Sequence, residues 1–223
     1  MINCDILIRE NRRTLSITIS KMGEVIVKAP AILTDSEINK YIKMKQAWIN
    51  KHLEKIRYNN EKYYDIINGN SVLFFGELYE VKEVKKLKTS TLQDNYLFIS
   101  ETINFDKKLK EIKNWYVKSA QEILKNRLNY FSSIMNLQFN QFKITNAKTK
   151  WGSCSSNKTI DLNWRLIMME SDLQDYVIVH ELCHLLEMNH SSKFYKCIEA
   201  IMPDYKIRRN KKKNYSFLLQ FFR

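Results

Sequence analysis

The sequence predicts an α+β protein in two parts: a β-rich N-terminal lobe with one long helix, followed by a helix and small-sheet lobe that carries His180-Glu-Leu-Cys-His184. Three observations predict this class. Only 4 Gly and 2 Pro punctuate 223 residues, which favours long uninterrupted elements. Residues 15–19 alternate apolar and polar with period two, as a half-buried strand does. Residues 106–135 instead repeat their apolar positions at three- and four-residue steps, as a helix does. A boundary near residue 104 gives lobes 1–104 and 105–223, although no Pro, Gly or Ser linker marks it and one continuous domain fits the composition as well.

The elements follow in order. Short strands are expected at Ile6-Leu-Ile8, at 15–19, and at Val25-Ile-Val27 ahead of Pro30, with Lys21-Met-Gly-Glu24 as the turn between the last two. Thr34-Asp-Ser-Glu37 has the capping-box pattern and opens a helix through Ile38, Ile42, Trp48, Ile49 and Leu53. His52 falls on that helix with no His, Cys or carboxylate at ligand spacing, so a packing or surface role is expected for it. After Asn68-Gly-Asn70, residues 72–81 read as a pair of strands and 96–99 as another. The long helix comes next, its stripe built from Leu109, Ile112, Val117, Ala120, Ile123, Leu124, Leu128 and Phe131. Residues 139–150 and 159–168 then read as strands around a turn at 155–158.

Composition bounds the function. The 44% hydrophobic and 12% aromatic content is that of a folded domain. Asp5, Arg9 and Glu10 break any signal-peptide core, and no apolar run reaches the ~20 residues of a membrane span, so a cytoplasmic protein with no membrane partner is expected. The four cysteines are widely spaced, which suits reduced thiols better than a disulfide framework. A net charge of +13 points to an acidic partner such as nucleic acid, but no nucleic-acid motif accompanies it, and a composition rich in Lys, Asn and Ile is the preferred account. The densest run, 208–213, reads as a solvated face or a phosphate contact.

Chemistry concentrates in residues 177–190, which hold three of the four histidines. On a helix His180 and His184 lie ~40° apart and one turn apart, with Ile178, Val179, Leu182, Leu185 and Leu186 on the other side. The expectation is an amphipathic helix with a polar stripe of two imidazoles flanked by Glu181. This HExxH pattern is a familiar zinc chelate, with the glutamate placed to touch a metal-bound water. Glu187 also returns to that face, but at ~10 Å along a straight helix it is out of reach of the same ion. The third ligand is therefore expected from chain that has turned. Asn189 can take the left-handed conformation that ends helices, and His190 follows it. Three histidines beside a glutamate match an open catalytic zinc site better than a closed structural one, although Cys154 or Cys183 could close the shell.

His180-Glu-Leu-Cys-His184, Asn189-His-Ser-Ser-Lys-Phe194, Lys150-Trp-Gly-Ser-Cys-Ser155 and Leu162-Asn-Trp-Arg-Leu166 together resemble the YgjP-like metallopeptidase family, which is similar in its active-site helix to the zincin group with SprT-like and WLM proteases. Arg9-Glu-Asn-Arg-Arg13, Lys45-Gln-Ala-Trp-Ile49 and Phe75-Gly-Glu-Leu-Tyr79 extend the resemblance over nearly the whole chain. It implies a zincin-like second lobe, a Zn2+ cofactor on His180, His184 and His190, and Glu181 as general base. It also implies a sheet edge that aligns an extended peptide or protein substrate. Lys150 stands where the family has Arg, and Tyr195 where it has Trp; Lys offers a point charge instead of a fork.

The expected activity is a zinc metallohydrolase, foremost a metallopeptidase in which Glu181 assists attack of zinc-bound water on the peptide carbonyl. Lys150, Trp151, Arg165 and Tyr195 are expected at the substrate; the sequence identifies no transition-state donor, with Tyr195 and Arg165 as the candidates, and Trp151 is equally a core residue. A different class uses the same centre: with Lys148, Lys150 and Arg165 nearby, the site could hydrolyse the phosphoanhydride of a nucleotide ligand, although no Gly-rich phosphate loop is present. A nucleic-acid-associated protein with structural zinc has only the charge to support it.

Overall fold

The computed structural model describes residues 4–20, 23–101 and 104–222, and the chain divides into two compact units, 1–64 and 65–223. The position near 104 expected from the sequence lies within the second unit, at the start of its longest helix.

The first unit is a three-stranded sheet covered by helices. Strand β1 (Ile6–Glu10) runs parallel to β3 (Val25–Pro30), which pairs antiparallel with β2 (Ser16–Ile19) on its other side. Lys21 and Met22 of the expected turn lie outside the described residues. Val25, Val27 and Ala29 alternate onto the buried face of β3 and meet Ile38, Ile42 and Ile49. The capping box forms as read: the Thr34 side chain accepts from the Glu37 N–H while Glu37 accepts from the Thr34 N–H. One helix was expected beyond it, but there are two, α1 (Asp35–Met44) and α2 (Gln46–Lys62), separated at Lys45. There φ −96° and ψ 5° interrupt the helical backbone without the Gly or Pro that would signal a break. His52 Nδ1 lies 2.8 Å from the Trp48 carbonyl oxygen, to which its N–H donates, and the ring packs on that of Trp48.

The second unit opens within the short helix α3 (Tyr64–Ile67), which leads into a four-stranded sheet. Its strands β4 (Ser71–Phe74), β5 (Glu77–Val84), β6 (Thr91–Gln93) and β7 (Tyr96–Ser100) lie in the order β4-β5-β7-β6. Phe75 and Gly76 join β4 to β5 with φ of 52° and 87°, the double positive φ of a tight hairpin turn. Their N–H groups donate to the carbonyls of Ile167 and Met168 at 2.8 and 3.1 Å. Helix α4 (Phe105–Ile134), capped by Asn104, buries Ile112, Trp115, Tyr116, Ala120, Leu124, Leu128 and Phe131 along one stripe.

The second sheet of this unit has the order β8-β10-β9, from β8 (Gln141–Thr145), β9 (Gly152–Cys154) and β10 (Thr159–Asn163). Strand β10 is parallel to β8 and antiparallel to β9, which leaves β9 on an edge. The expected strand 159–168 stops at Asn163, because residues Trp164–Met168 form a 3₁₀ turn in which the Asn163 side chain accepts from the Arg165 N–H. Three helices complete the unit: α5 (Ser171–Cys183), α6 (Ser192–Ile201) and α7 (Tyr205–Lys212), followed by a 3₁₀ segment, Lys213–Gln220. Arg127 of α4 holds α5 through a two-pronged contact with Asp175 at 2.9 and 2.7 Å. No helix among the described residues is long and apolar enough to cross a membrane.

Candidate metal centre

Helix α5 is buried on nearly every side. Leu173, Gln174, Tyr176, Val177, Ile178, Val179, Leu182 and Cys183 are all buried, so the amphipathic helix expected from the sequence is instead a central core helix. Its polar stripe is buried as well, with Glu181 5% and His184 9% exposed. Helical geometry ends at Cys183, and His184 caps the helix with φ −67° and ψ −16°. The chain then turns through Leu185 and Leu186, whose N–H groups return to the carbonyls of Leu182 and Cys183. Asn189 is not among the residues with positive φ, so the turn is made without the left-handed residue expected there.

That turn brings His190 back to the helix. The ligand atoms of His180, His184 and His190 all lie within 4.8 Å of one another, and the Nε2 atoms of His180 and His190 are 3.2 Å apart. Zinc with Zn–N bonds of ~2.0–2.1 Å in tetrahedral geometry needs ligand nitrogens about 3.3 Å apart, so this pair already has the spacing of one edge. His184 Nδ1 sits 3.1 Å from the Glu187 carbonyl, which fixes the ring and frees Nε2. Glu187 thus serves the site through its backbone. Burial, His184, Lys212, His190 and Arg209 together push the His180 pKa down to about 3, and burial lowers that of His184. Both imidazoles are therefore neutral, with lone pairs available, as metal ligation requires. The residues fit a zinc ion.

Phe194 supports the cluster from below. Its ring centroid lies 4.9, 4.5 and 4.8 Å from those of His180, His184 and His190, and the ring is fully buried. Ser191 caps α6 by accepting from the Phe194 N–H, so the same turn that delivers His190 also delivers its support.

Glu181 faces the edge strand β9. A Cβ built on Gly152 would stand 2.7 Å from both Glu181 Cγ and Oε1, so the carboxylate lies directly on the glycine backbone. Burial raises the Glu181 pKa to about 7, against the opposing charges of Lys212 and Lys150, with Asp161 adding to the rise. Lys150 donates to Ser153 Oγ at 2.8 Å beside this carboxylate. Tyr195 stacks beside His190, its ring centroid 6.3 Å away. Trp151 is buried in the core. Arg165 is 1% exposed, donates to the Phe221 carbonyl and Asn163 Oδ1, and stacks on Trp164. Its guanidinium is committed to holding the C-terminal segment. Cys183 stands 2.8 Å from Cys197 with its thiol pKa raised by burial, and Cys154 is raised by burial and then by Glu181; neither belongs to the histidine cluster.

Sequence reasoning left four contributors without a role: Gly152, Phe194, Arg209 and Lys212. A glycine inside a strand signals close approach of another group, so Gly152 was legible in principle. The two cations were hidden in a run that looks uniformly solvated.

Residues 13–215 match the family described as YgjP-like, metallopeptidase domain, and the chain belongs to it. Among solved structures, the chain is similar to the metallopeptidase zymogens abylysin of Pyrococcus abyssi and jannalysin of Methanocaldococcus jannaschii. Both are 24% identical; the matches cover 40% of this chain with 90% and 95% of those chains, at TM-scores of 0.37 and 0.34. No curated protein matches the chain.

Proposed function

Starting from that family membership, we propose that the protein hydrolyses peptide bonds at a zinc ion held by His180, His184 and His190, with Glu181 as general base. The observation that carries this reading is the convergence of three imidazoles within 4.8 Å, with the buried Glu181 carboxylate next in the chain and outside the cluster. When bound there, zinc supplies Lewis acidity toward a carbonyl oxygen and makes water a stronger acid at neutral pH.

The chain's own groups do the rest. Glu181 accepts the proton of the attacking water on a carboxylate oxygen and returns it to the amine nitrogen as the C–N bond breaks. Its buried setting, with the pKa raised to about 7, suits a group that must take up and release a proton near neutrality. The β9 edge offers backbone N–H and C=O groups for an extended peptide, and Gly152 lets that strand run against the Glu181 carboxylate. Phe194 keeps water from the rear of the imidazoles. The four cysteines are free thiols, as a reducing compartment keeps them, and we place the activity in the cytosol.

The test is Glu181→Gln. It removes the base while preserving the shape of the side chain and all three imidazoles, so zinc stoichiometry and Tm should stay near wild type. Peptide turnover should fall by a factor on the order of 10² or more. Wild-type turnover in this variant would sink the assignment, and loss of zinc would make Glu181 a ligand instead of a base.

A further inference from the structure

The basic run at the C-terminal side of the protein is not one solvated face. On α7, Arg208 pairs with Asp204 at 2.9 Å and donates to the Asp172 carbonyl, and Lys211 pairs with Glu170 at 3.2 Å. Arg209 and Lys212, one helical turn apart, behave differently. No carboxylate lies within ion-pairing distance of either among the described residues. The Arg209 guanidinium sits 5.2 Å from the Tyr195 ring centroid, and Lys212 Nζ 5.3 Å from that of Tyr176. Tyr195 in turn stacks on His190 at 6.3 Å, and Tyr176 lies 6.0 Å from His180. Each cation is thus one aromatic ring away from a histidine of the cluster.

Lys212 is half-buried, and burial holds its pKa down while Glu181 opposes the fall. A cation withdrawn from water without an ion pair is costly unless an anion arrives to meet it. A pair of cations at i and i+3 presents its charges on one side of the helix, at a spacing that a single carboxylate can bridge.

We propose that Arg209 and Lys212 form a subsite for a carboxylate of the substrate, so that the enzyme selects peptides carrying an acidic group close to the scissile bond. This rests on the peptidase reading above. The carboxylate is either a C-terminus or an Asp or Glu side chain. Family membership favours a peptide over a nucleotide as its carrier.

The experiment uses the zinc-loaded protein and matched peptides in two arms: Glu against Gln at each position in turn, and a free C-terminal acid against its amide. The inactive Glu181→Gln variant measures affinity for the same peptides without turnover. The acid form should be preferred on the order of 10-fold in both kcat/KM and affinity, in whichever arm supplies the natural carboxylate. Arg209→Gln and Lys212→Gln should each reduce the preference, and the double reversal R209E/K212E should invert it, whereas Lys206→Gln on the same helix should leave it intact. Because Arg209 is exposed, its single variant keeps the test usable if the double reversal does not fold.

Cleavage of acid and amide forms with equal kcat/KM would overturn the subsite while leaving the peptidase reading in place. An acid preference in affinity without cleavage of any peptide would overturn the peptidase reading and leave the subsite standing. ATP binding more tightly than every acidic peptide, through the same two cations, would overturn the carboxylate assignment in favour of phosphate.

Discussion

Gly152→Ala adds one methyl group where the structure has no room for it. The new Cβ would lie 2.7 Å from Glu181 Cγ, 2.7 Å from Oε1 and 2.9 Å from Cδ. Rotating the carboxylate cannot relieve a contact that includes Cγ, so the whole side chain must retreat by roughly 0.7 Å to reach ordinary van der Waals separation of ~3.4–3.5 Å. Glu181 is 5% exposed and cannot swing into solvent. Overpacking of this kind costs about 1–3 kcal/mol, or a fall of roughly 2–12 °C in Tm at 2–4 °C per kcal/mol. The catalytic effect should be larger in proportion. A misplacement near 1 Å costs about 10² in rate, so kcat should drop on the order of 10- to 100-fold. The three atoms nearest the added methyl all belong to Glu181 and none to an imidazole, so zinc content should be unchanged. Peptide turnover, metal analysis and thermal melting on one preparation separate these effects. A Gly152→Ala protein with wild-type kcat would refute the contact's role in placing the base.

Three further outcomes follow from the same geometry. Phe194→Ala empties the space beneath the three imidazoles and should destabilise the protein by about 3–5 kcal/mol while weakening zinc retention in competition with a chelator, whereas unchanged retention would show that the imidazoles hold their positions alone. His190→Ala should lose zinc as fully as His180→Ala or His184→Ala, and full occupancy in elemental analysis would remove His190 from the ligand set. Arg165→Met should lower Tm, by breaking buried hydrogen bonds worth on the order of 3 kcal/mol together, without raising KM for a peptide; a KM increase at unchanged Tm would restore Arg165 to the substrate site.

The parts of the site legible in the sequence are those set by local spacing. His180 and His184 meet because a helix repeats every ~3.6 residues, and His190 was placed by the argument that the helix must end before a third ligand can return. The end itself came differently, at His184 and without a left-handed Asn189. Spacing cannot tell how a helix is surrounded: α5 reads as two-faced, yet it packs against β9, α6 and α7 as well as α4, and its polar stripe is buried with the rest. Trp164-Arg-Leu-Ile-Met168 reads as strand because it is apolar apart from Arg165, but its partner is the hairpin turn at Phe75-Gly76 rather than another strand. The break at Lys45 left no residue signature at all.

The net charge of +13 becomes less ambiguous once each cation is located. Lys118 and Lys125 are exposed along α4, where salt screens surface charges over about 8 Å. Of the cations that suggested phosphoanhydride chemistry, Arg165 is locked to the Phe221 carbonyl and Lys150 is engaged with Ser153. Arg209 and Lys212 stand nearer the centre, each one aromatic ring away from a histidine of the cluster. A nucleoside triphosphate brings a charge of about −4 and is ordinarily met by a cradle of backbone N–H groups as well as cations. A peptide carbonyl brings no charge and needs an electrophile, a base and alignment along a strand, while one carboxylate nearby needs no more than two cations. The distribution of charge therefore fits an enzyme whose substrate is neutral at the reacting bond and anionic beside it.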